Sequence, residues 1–218
     1  MCLFANKGNF PFHAIPLTYI NVIIFFIIAL IYSSAGFGGG SLYLAVLSGY
    51  DLPVLTTITM GLSCNAIVTL TSSINYVRSG ELIWKKAWPL LAGGLPFAIW
   101  SSTIKLEGLG YAKVLSICLI LAAVAMVFRK TESAIAGIHK NWLFMLTPMI
   151  GFVSGLSGIG GGIYLAPFLY LTNYAKPKEI AAMCALFILV NSIAGLLIRQ
   201  SDVLDVFSQE KMWLLPIA

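Results

Sequence analysis

Long apolar runs dominate the chain: stretches of about 20 residues, among them 54–77, 110–129 and 177–199, alternate with short loops that hold most of the charge. A run of that length is what a helix needs to cross the hydrocarbon core of a bilayer. No water reaches the backbone there, so a spanning chain must be helical or form a closed barrel. The runs lack the period-two alternation of barrel strands, which leaves helices. Only 10% of the 218 residues are charged and 59% are hydrophobic, whereas soluble domains carry about 25% charged residues. The expected fold class is an all-α, polytopic membrane protein, multi-pass in the cell (plasma or inner) membrane, with the lipid bilayer as its solvent.

Six candidate spans follow: 17–48, 54–77, 87–104, 110–129, 141–172 and 177–199. A seventh begins near Trp213, where the sequence stops, so a truncated chain is expected. Residues 1–16 hold Lys7 and His13 but no apolar stretch leading to a cleavage site, and read as an N-terminal segment without a removable signal. The first and fifth candidates are about 32 residues long, more than one straight crossing requires. Each is interrupted in its second half, by GFGGG at 36–40 and by GIGGG at 158–162. Each glycine in a helix interior costs roughly 1 kcal/mol relative to alanine, so both segments are expected to be broken or re-entrant.

The net charge of +5 would suggest nucleic acid in a soluble protein. Here it reflects Lys and Arg flanking the spans, and no nucleic-acid partner is expected. Arg78, Lys85 and Lys86 surround Glu81; Arg129, Lys130, His139 and Lys140 surround Glu132. With one crossing per candidate, these two loops share the cytoplasmic face. Asp51, 105–109 and 173–179 then lie opposite, and the N-terminus is cytoplasmic.

The chain also repeats itself. GFGGGSLYLAVL lies over GIGGGIYLAPFL, GLSCNAIVTLTS over AAMCALFILVNS, and KKAWPLLA over KMWLLPIA, at an offset of about 120 residues. The membrane domain is thus expected to comprise repeat 1 (17–130) and repeat 2 (141–218), each with a glycine-broken helix, a common plan in secondary transporters. Whether the repeats are parallel or inverted is left open by the pattern.

A broken helix in a membrane exposes backbone groups that must meet protein or a cavity. The half-helix after the break offers unpaired N–H groups and a positive dipole end, which suit an anion without any side-chain charge. Gly36, Gly38, Gly39, Gly40, Gly158, Gly160, Gly161 and Gly162 are accordingly candidate solute-binding positions. The plainer reading is close helix packing. Nucleotide binding fails, because that fingerprint needs a preceding strand in a βαβ unit.

Span 54–77 is unusually polar. Thr57, Gly61, Cys64, Asn65, Thr69, Thr71, Ser72 and Asn75 occupy about half its circumference, and in span 177–199 Cys184, Asn191, Ser192 and Gly195 share a face, with Arg199 at the end. Cys64, Asn65, Thr71, Ser72, Cys184, Asn191 and Ser192 join the candidate site; interhelical hydrogen bonding is the alternative. Cys64 and Cys184 admit thiol contact with a sulfur-containing solute, although cysteine is usually a packing residue. No metal ligand set is formed, and no cofactor is expected.

Every Asp and Glu falls in a loop or at a span end, whereas proton-driven carriers usually bury one. Arg78, Lys105 and Arg199 near span ends either attract anions or snorkel. GLSG at 155–158 resembles the intramembrane serine protease pattern, but Ser157 has no base. His139 begins the same segment about 27 Å away at ~1.5 Å per residue, and His13 precedes the first span. An enzyme is not expected.

These residues together resemble the TauE/SafE family of permeases, which includes exporters of sulfite and sulfonates. The resemblance rests on GFGGGSLYLAVL, GLSGIGGGIYLAPFL, PKEIAAMCALFILVNS and RSGELIWKKAWPLLAGG, and it covers the whole chain. It implies a transporter of a small anionic solute, sulfite, a sulfonate or a related sulfur-containing organic anion, working by alternating access. A passive anion channel and a non-transporting membrane scaffold are the alternatives, and a homo-oligomer is open. Ser63-Cys64 and Met183-Cys184 stand where the family often has Thr-Ser. Ala45-Val46 stands where the family has a proline like Pro167, which predicts a different start for the first half-helix.

Overall fold

The computed structural model describes residues 19–34, 36–49, 52–104, 108–127 and 140–199. Outside them lie the N-terminal segment with His13, the acids Asp51, Glu107 and Glu132, the basic loop through His139, and the expected seventh span near Trp213.

The described residues form eight helices: α1 (Tyr19–Ser34), α2 (Gly40–Leu47), α3 (Val54–Arg78), α4 (Trp84–Ser102), α5 (Gly108–Val127), α6 (Lys140–Ser157), α7 (Gly162–Leu171) and α8 (Pro177–Ile198). Both glycine clusters terminate helices, as their composition dictates. The 17–48 and 141–172 candidates each become a longer helix, a break and a short helix. Among the described helices, α3 and α8 are both long and apolar enough to cross a bilayer; at ~1.5 Å per residue they extend about 37 and 33 Å.

The exterior is unlike that of a soluble protein, and the buried core includes many polar side chains. Ile23, Phe26, Ile27, Leu30 and Ile31 of α1, Ile117, Ile120 and Leu121 of α5, and Met145 and Met149 of α6 are exposed. Thr59, Asn65, Thr69, Thr147, Ser154 and Ser192 are wholly or almost wholly buried. An apolar exterior of this extent would drive association in water; in lipid it is the solvated face. At the centre α3 packs along α8, and α4 packs most extensively on α6.

Glycines bring α4 and α6 together. A Cβ at Gly151 would strike the Gly94 carbonyl, and one at Gly155 would strike the Ala98 carbonyl. Residues rising together along both helices make the pair parallel. Their spacing of four is the small-xxx-small device of membrane packing.

The two broken segments do not cross; they double back. Phe25 of α1 stacks on Tyr43 of α2 at 5.0 Å between ring centroids, and a Cβ at Gly39 would lie 3.0 Å from Ile28. α2 then descends antiparallel to α3, with Gly40 beside Asn65 and Leu44 beside Gly61. α1 and α2 thus form a hairpin whose arms open at the N-terminal end of α3. α6 and α7 form a second hairpin, Ser154 facing Gly161, and α7 returns to the C-terminal end of α3.

That return is fixed by contacts around Lys86. Its ammonium donates to the Tyr174 carbonyl at 3.1 Å, while the Tyr174 hydroxyl donates to the Lys86 carbonyl at 3.2 Å. Lys86 also lies 3.6 Å from Glu179, and Lys178 lies 3.9 Å from Glu81. Burial raises the pKa of the Tyr174 phenol, so it remains a donor. These contacts overturn the expected topology. Residues 173–179 share a face with the 79–83 turn rather than opposing it, because 141–172 turns back instead of crossing once. For the same reason the start of α1 lies at the end of the bundle opposite to that turn.

Candidate functional site

Each hairpin tip is built by backbone conformations that favour glycine. Gly39 (φ 80°) caps the N-terminus of α2, and Gly161 (φ 84°) caps that of α7, both left-handed. Residues with a Cβ, Asn and Asp least, pay a steric cost in this region that glycine avoids. The half-helices therefore start alike, and the Ala45-Val46 departure does not alter the first one. Pro167 sits inside α7, clear of its head.

The tips enter from opposite ends of the bundle and meet at Asn65, halfway along α3. The Asn65 amide nitrogen donates to the Ile159 carbonyl of the second tip at 2.9 Å. On its other side a Cβ at Gly38 would lie 2.6 Å from Oδ1, and a Cβ at Gly40 would strike Nδ2 while lying 2.8 Å from the Ile159 oxygen. Asn65 is fully buried. Asn191 of α8 reaches the same tip, its amide nitrogen 3.5 Å from the Gly160 carbonyl. A Cβ at Gly160 would lie 3.1 Å from the Ser192 hydroxyl. Gly38, Gly40, Gly160, Asn65, Asn191 and Ser192 are thus gathered in one place.

Close packing accounts for several of the glycines. Gly36 is pressed against the Ala181 carbonyl, Gly158 against Ile58, and Gly162 against Ile188, so these serve close packing. The helix heads still leave donors over. Among the described residues, no backbone acceptor meets the N–H groups of Gly40, Ser41, Gly162 or Ile163, as expected for the first turn of a helix. Each head adds roughly half a positive charge from its dipole. Beside the tips lies an apolar cavity of about 370 Å³, bounded by Tyr32 and Phe37 of the first hairpin, Leu119 and Ala122 of α5, and Ile163 of α7.

The remaining candidates lie elsewhere. The Thr71 hydroxyl is exposed and donates to Ile67 of its own helix, and Asn75 is exposed as well. The Ser72 hydroxyl donates to the Val68 carbonyl at 3.0 Å and lies 3.5 Å from the Ser33 carbonyl of α1. Cys64 and Cys184 are buried in separate apolar clusters, the first with Tyr43 and Met60, the second with Leu165 and Phe187. Ser157 donates to the Ser154 carbonyl, and its own carbonyl accepts from the Tyr111 hydroxyl at 2.9 Å. Sequence reasoning missed the Ile159 and Gly160 carbonyls, which no residue type advertises. It also missed the Gly151/Gly155 seam, which its four-residue spacing did signal.

Taken together, apolar outer faces, polar side chains buried among packed helices and paired helix breaks fit a helical membrane protein of the transporter class. The sequence model of the sulfite exporter TauE/SafE family matches residues 21–215. The chain belongs to that family of membrane transporters and is not an enzyme. It is similar to the probable membrane transporter protein y4hK of Sinorhizobium fredii, 29% identical over 188 residues that cover 80% of this chain and 73% of that one. The probable membrane transporter protein MJ0441 of Methanocaldococcus jannaschii is 27% identical over 187 residues, covering 81% and 70%. No solved structure matches the chain.

Proposed function

We propose that the protein is a secondary transporter that carries a small oxyanion, sulfite, a sulfonate or a related sulfur-containing organic anion, by alternating access. The observation that carries this reading is the meeting of two hairpin tips, inserted from opposite ends, at a buried amide with helix-head N–H groups beside it. Backbone donors at a helix head favour negative charge, and half-helices that meet inside a bundle are the usual way membrane transporters build such sites. Gly38–Gly40 and Gly160–Gly162 with Asn65, Asn191 and Ser192 form the proposed site, and Gly36 and Gly158 hold the tips in place by close packing.

In this reading 17–130 and 141–218 are repeats of inverted topology. α1–α2–α3 starts from one end of the bundle and α6–α7–α8 from the other, so rocking one hairpin against its partner would open the tips alternately to each side. The end holding Arg78, Lys85, Lys86, Lys176 and Lys178 is proposed as cytoplasmic on its excess of basic residues.

The test is flux of radiolabelled sulfite and of a sulfonate into proteoliposomes holding the full-length protein. Saturable flux with counterflow is expected, and Gly39→Ala or Gly161→Val should abolish it. Flux that neither saturates nor shows counterflow would identify a passive anion channel. Unchanged flux in both variants would remove the tips from the site.

A further inference from the structure

We infer that the site takes its oxyanion in the monoprotonated form, and that the Asn65 carbonyl oxygen accepts the solute's own hydrogen. This rests on the anion-transport reading above and goes beyond it. An amide presents a donor at one end and an acceptor at the other. The donor end of Asn65 is committed to the Ile159 carbonyl at 2.9 Å; a flipped amide would set two carbonyl oxygens against each other. The acceptor end is thereby turned toward Gly38, the first tip.

Among the described residues, no donor meets it there. Asn65 Oδ1 is buried without a hydrogen-bond partner, and so is Asn191 Oδ1. The nearby Thr69 hydroxyl donates to the backbone carbonyl of Asn65 at 2.6 Å. Native proteins rarely leave a buried carbonyl oxygen unmet; the Asn65 oxygen beside the first tip, with the Asn191 oxygen and the Ser192 hydroxyl on α8 also unmet, points to a ligand that brings a hydrogen. The N–H groups at the helix heads ask for negative oxygens. A solute satisfying both carries a negative charge and a hydrogen it can donate. Hydrogen sulfite is such a solute; the sulfite dianion would set lone pairs against both amide oxygens, and a simple sulfonate offers them nothing.

The surrounding side chains do not supply the hydrogen by titration. Nearest the tips on these helices stand Tyr43 of α2, Cys64 of α3, Tyr164 of α7 and Cys184 of α8; Tyr32 of α1, Tyr76 and Arg78 of α3, Tyr170 of α7, and Lys178 and Glu179 of α8 lie toward the helix ends, with Arg199 just past α8. Phenols and thiols ordinarily stay protonated at neutral pH and guanidinium stays charged. The described carboxylates, Glu179 at the start of α8 and Glu81, lie in ion pairs with Lys86 and Lys178 at the end of the bundle, so a proton would then move with the solute as part of it.

The experiment compares sulfite with methanesulfonate, a monoanion without an ionisable hydrogen. Flux into proteoliposomes of the full-length protein is measured on the acid and alkaline sides of hydrogen sulfite ionisation, with thermal-shift binding of both anions in detergent. Sulfite flux should follow the hydrogen sulfite fraction and exceed methanesulfonate flux by about tenfold or more, because a site built to bond a hydrogen rejects analogues lacking it. Asn65→Ala should erase that preference while remaining monodisperse; if it does not fold, Asn191→Ala should weaken the preference instead. Equal flux of both anions at every pH would overturn the inference and leave anion transport standing. A strict sodium requirement, with sulfite flux indifferent to pH, would assign the amide oxygens to a cation and also overturn it. Absence of flux and of thermal shift with either anion would refute the underlying transport reading.

Discussion

Gly161→Ala offers the most direct test of the tip geometry, because two separate costs can be worked out for it and one can be controlled. Gly161 has φ 84°, and its added Cβ would lie 2.6 Å from the Ser154 hydroxyl, 2.7 Å from Ser154 Cβ and 2.8 Å from the Phe187 ring. The left-handed backbone costs an alanine about 1–2 kcal/mol. The overlap with Ser154 Cβ and the ring forces α6, α8 or the tip to move, an overpacking cost of about 1–3 kcal/mol. The total is roughly 2–5 kcal/mol. Gly80, in the turn between α3 and α4, has φ 73° with nothing within 4 Å of its added Cβ. Gly80→Ala therefore pays the backbone term alone. Unfolding followed by tryptophan fluorescence in detergent should show a midpoint loss two to three times larger for Gly161→Ala than for Gly80→Ala. Equal losses would mean that α7 does not pack on Ser154 and Phe187 as described, and the second hairpin would have to be redrawn.

The hairpin topology makes a labelling prediction. In a cysteine-free background, Ser79→Cys and Lys176→Cys should react with an impermeant maleimide from the same side of the membrane; reaction from opposite sides would restore a single crossing for 141–172. The Tyr111 hydroxyl bonds the Ser157 carbonyl within a buried region, so Tyr111→Phe should cost about 1–2 kcal/mol in the same unfolding assay. Ser157→Ala removes a hydroxyl that donates to the Ser154 carbonyl of its own helix, and should leave transport intact.

How much of this was legible depends on which kind of interaction a residue makes. The helices and both breaks could be read because they follow from local chemistry: apolar length makes a span, and four glycines end one. The direction of a segment after its break could not, since a glycine in the left-handed region permits a return and equally a kinked continuation. The decision is made by Gly40 packing on Asn65 and by Lys86 holding Tyr174 and Glu179, contacts between residues far apart in the chain. Charge counting over the loops failed at 173–179 because it assumed that every long apolar stretch crosses.

The polar face of α3 carries a related lesson. Thr57, Ser63, Thr69, Thr71 and Ser72 all donate to a carbonyl four residues earlier, so their hydroxyl hydrogens are spent inside the helix, as is common for Ser and Thr. The Asn65 amide instead reaches another segment, leaving its second end for something else. A stripe of hydroxyls on a membrane helix is therefore weak evidence for a solute path, whereas one amide among them carries more. Had Asn65 been Ser or Thr, its hydrogen would have gone to Gly61 of its own helix, and the two tips would have lost a side chain that touches both.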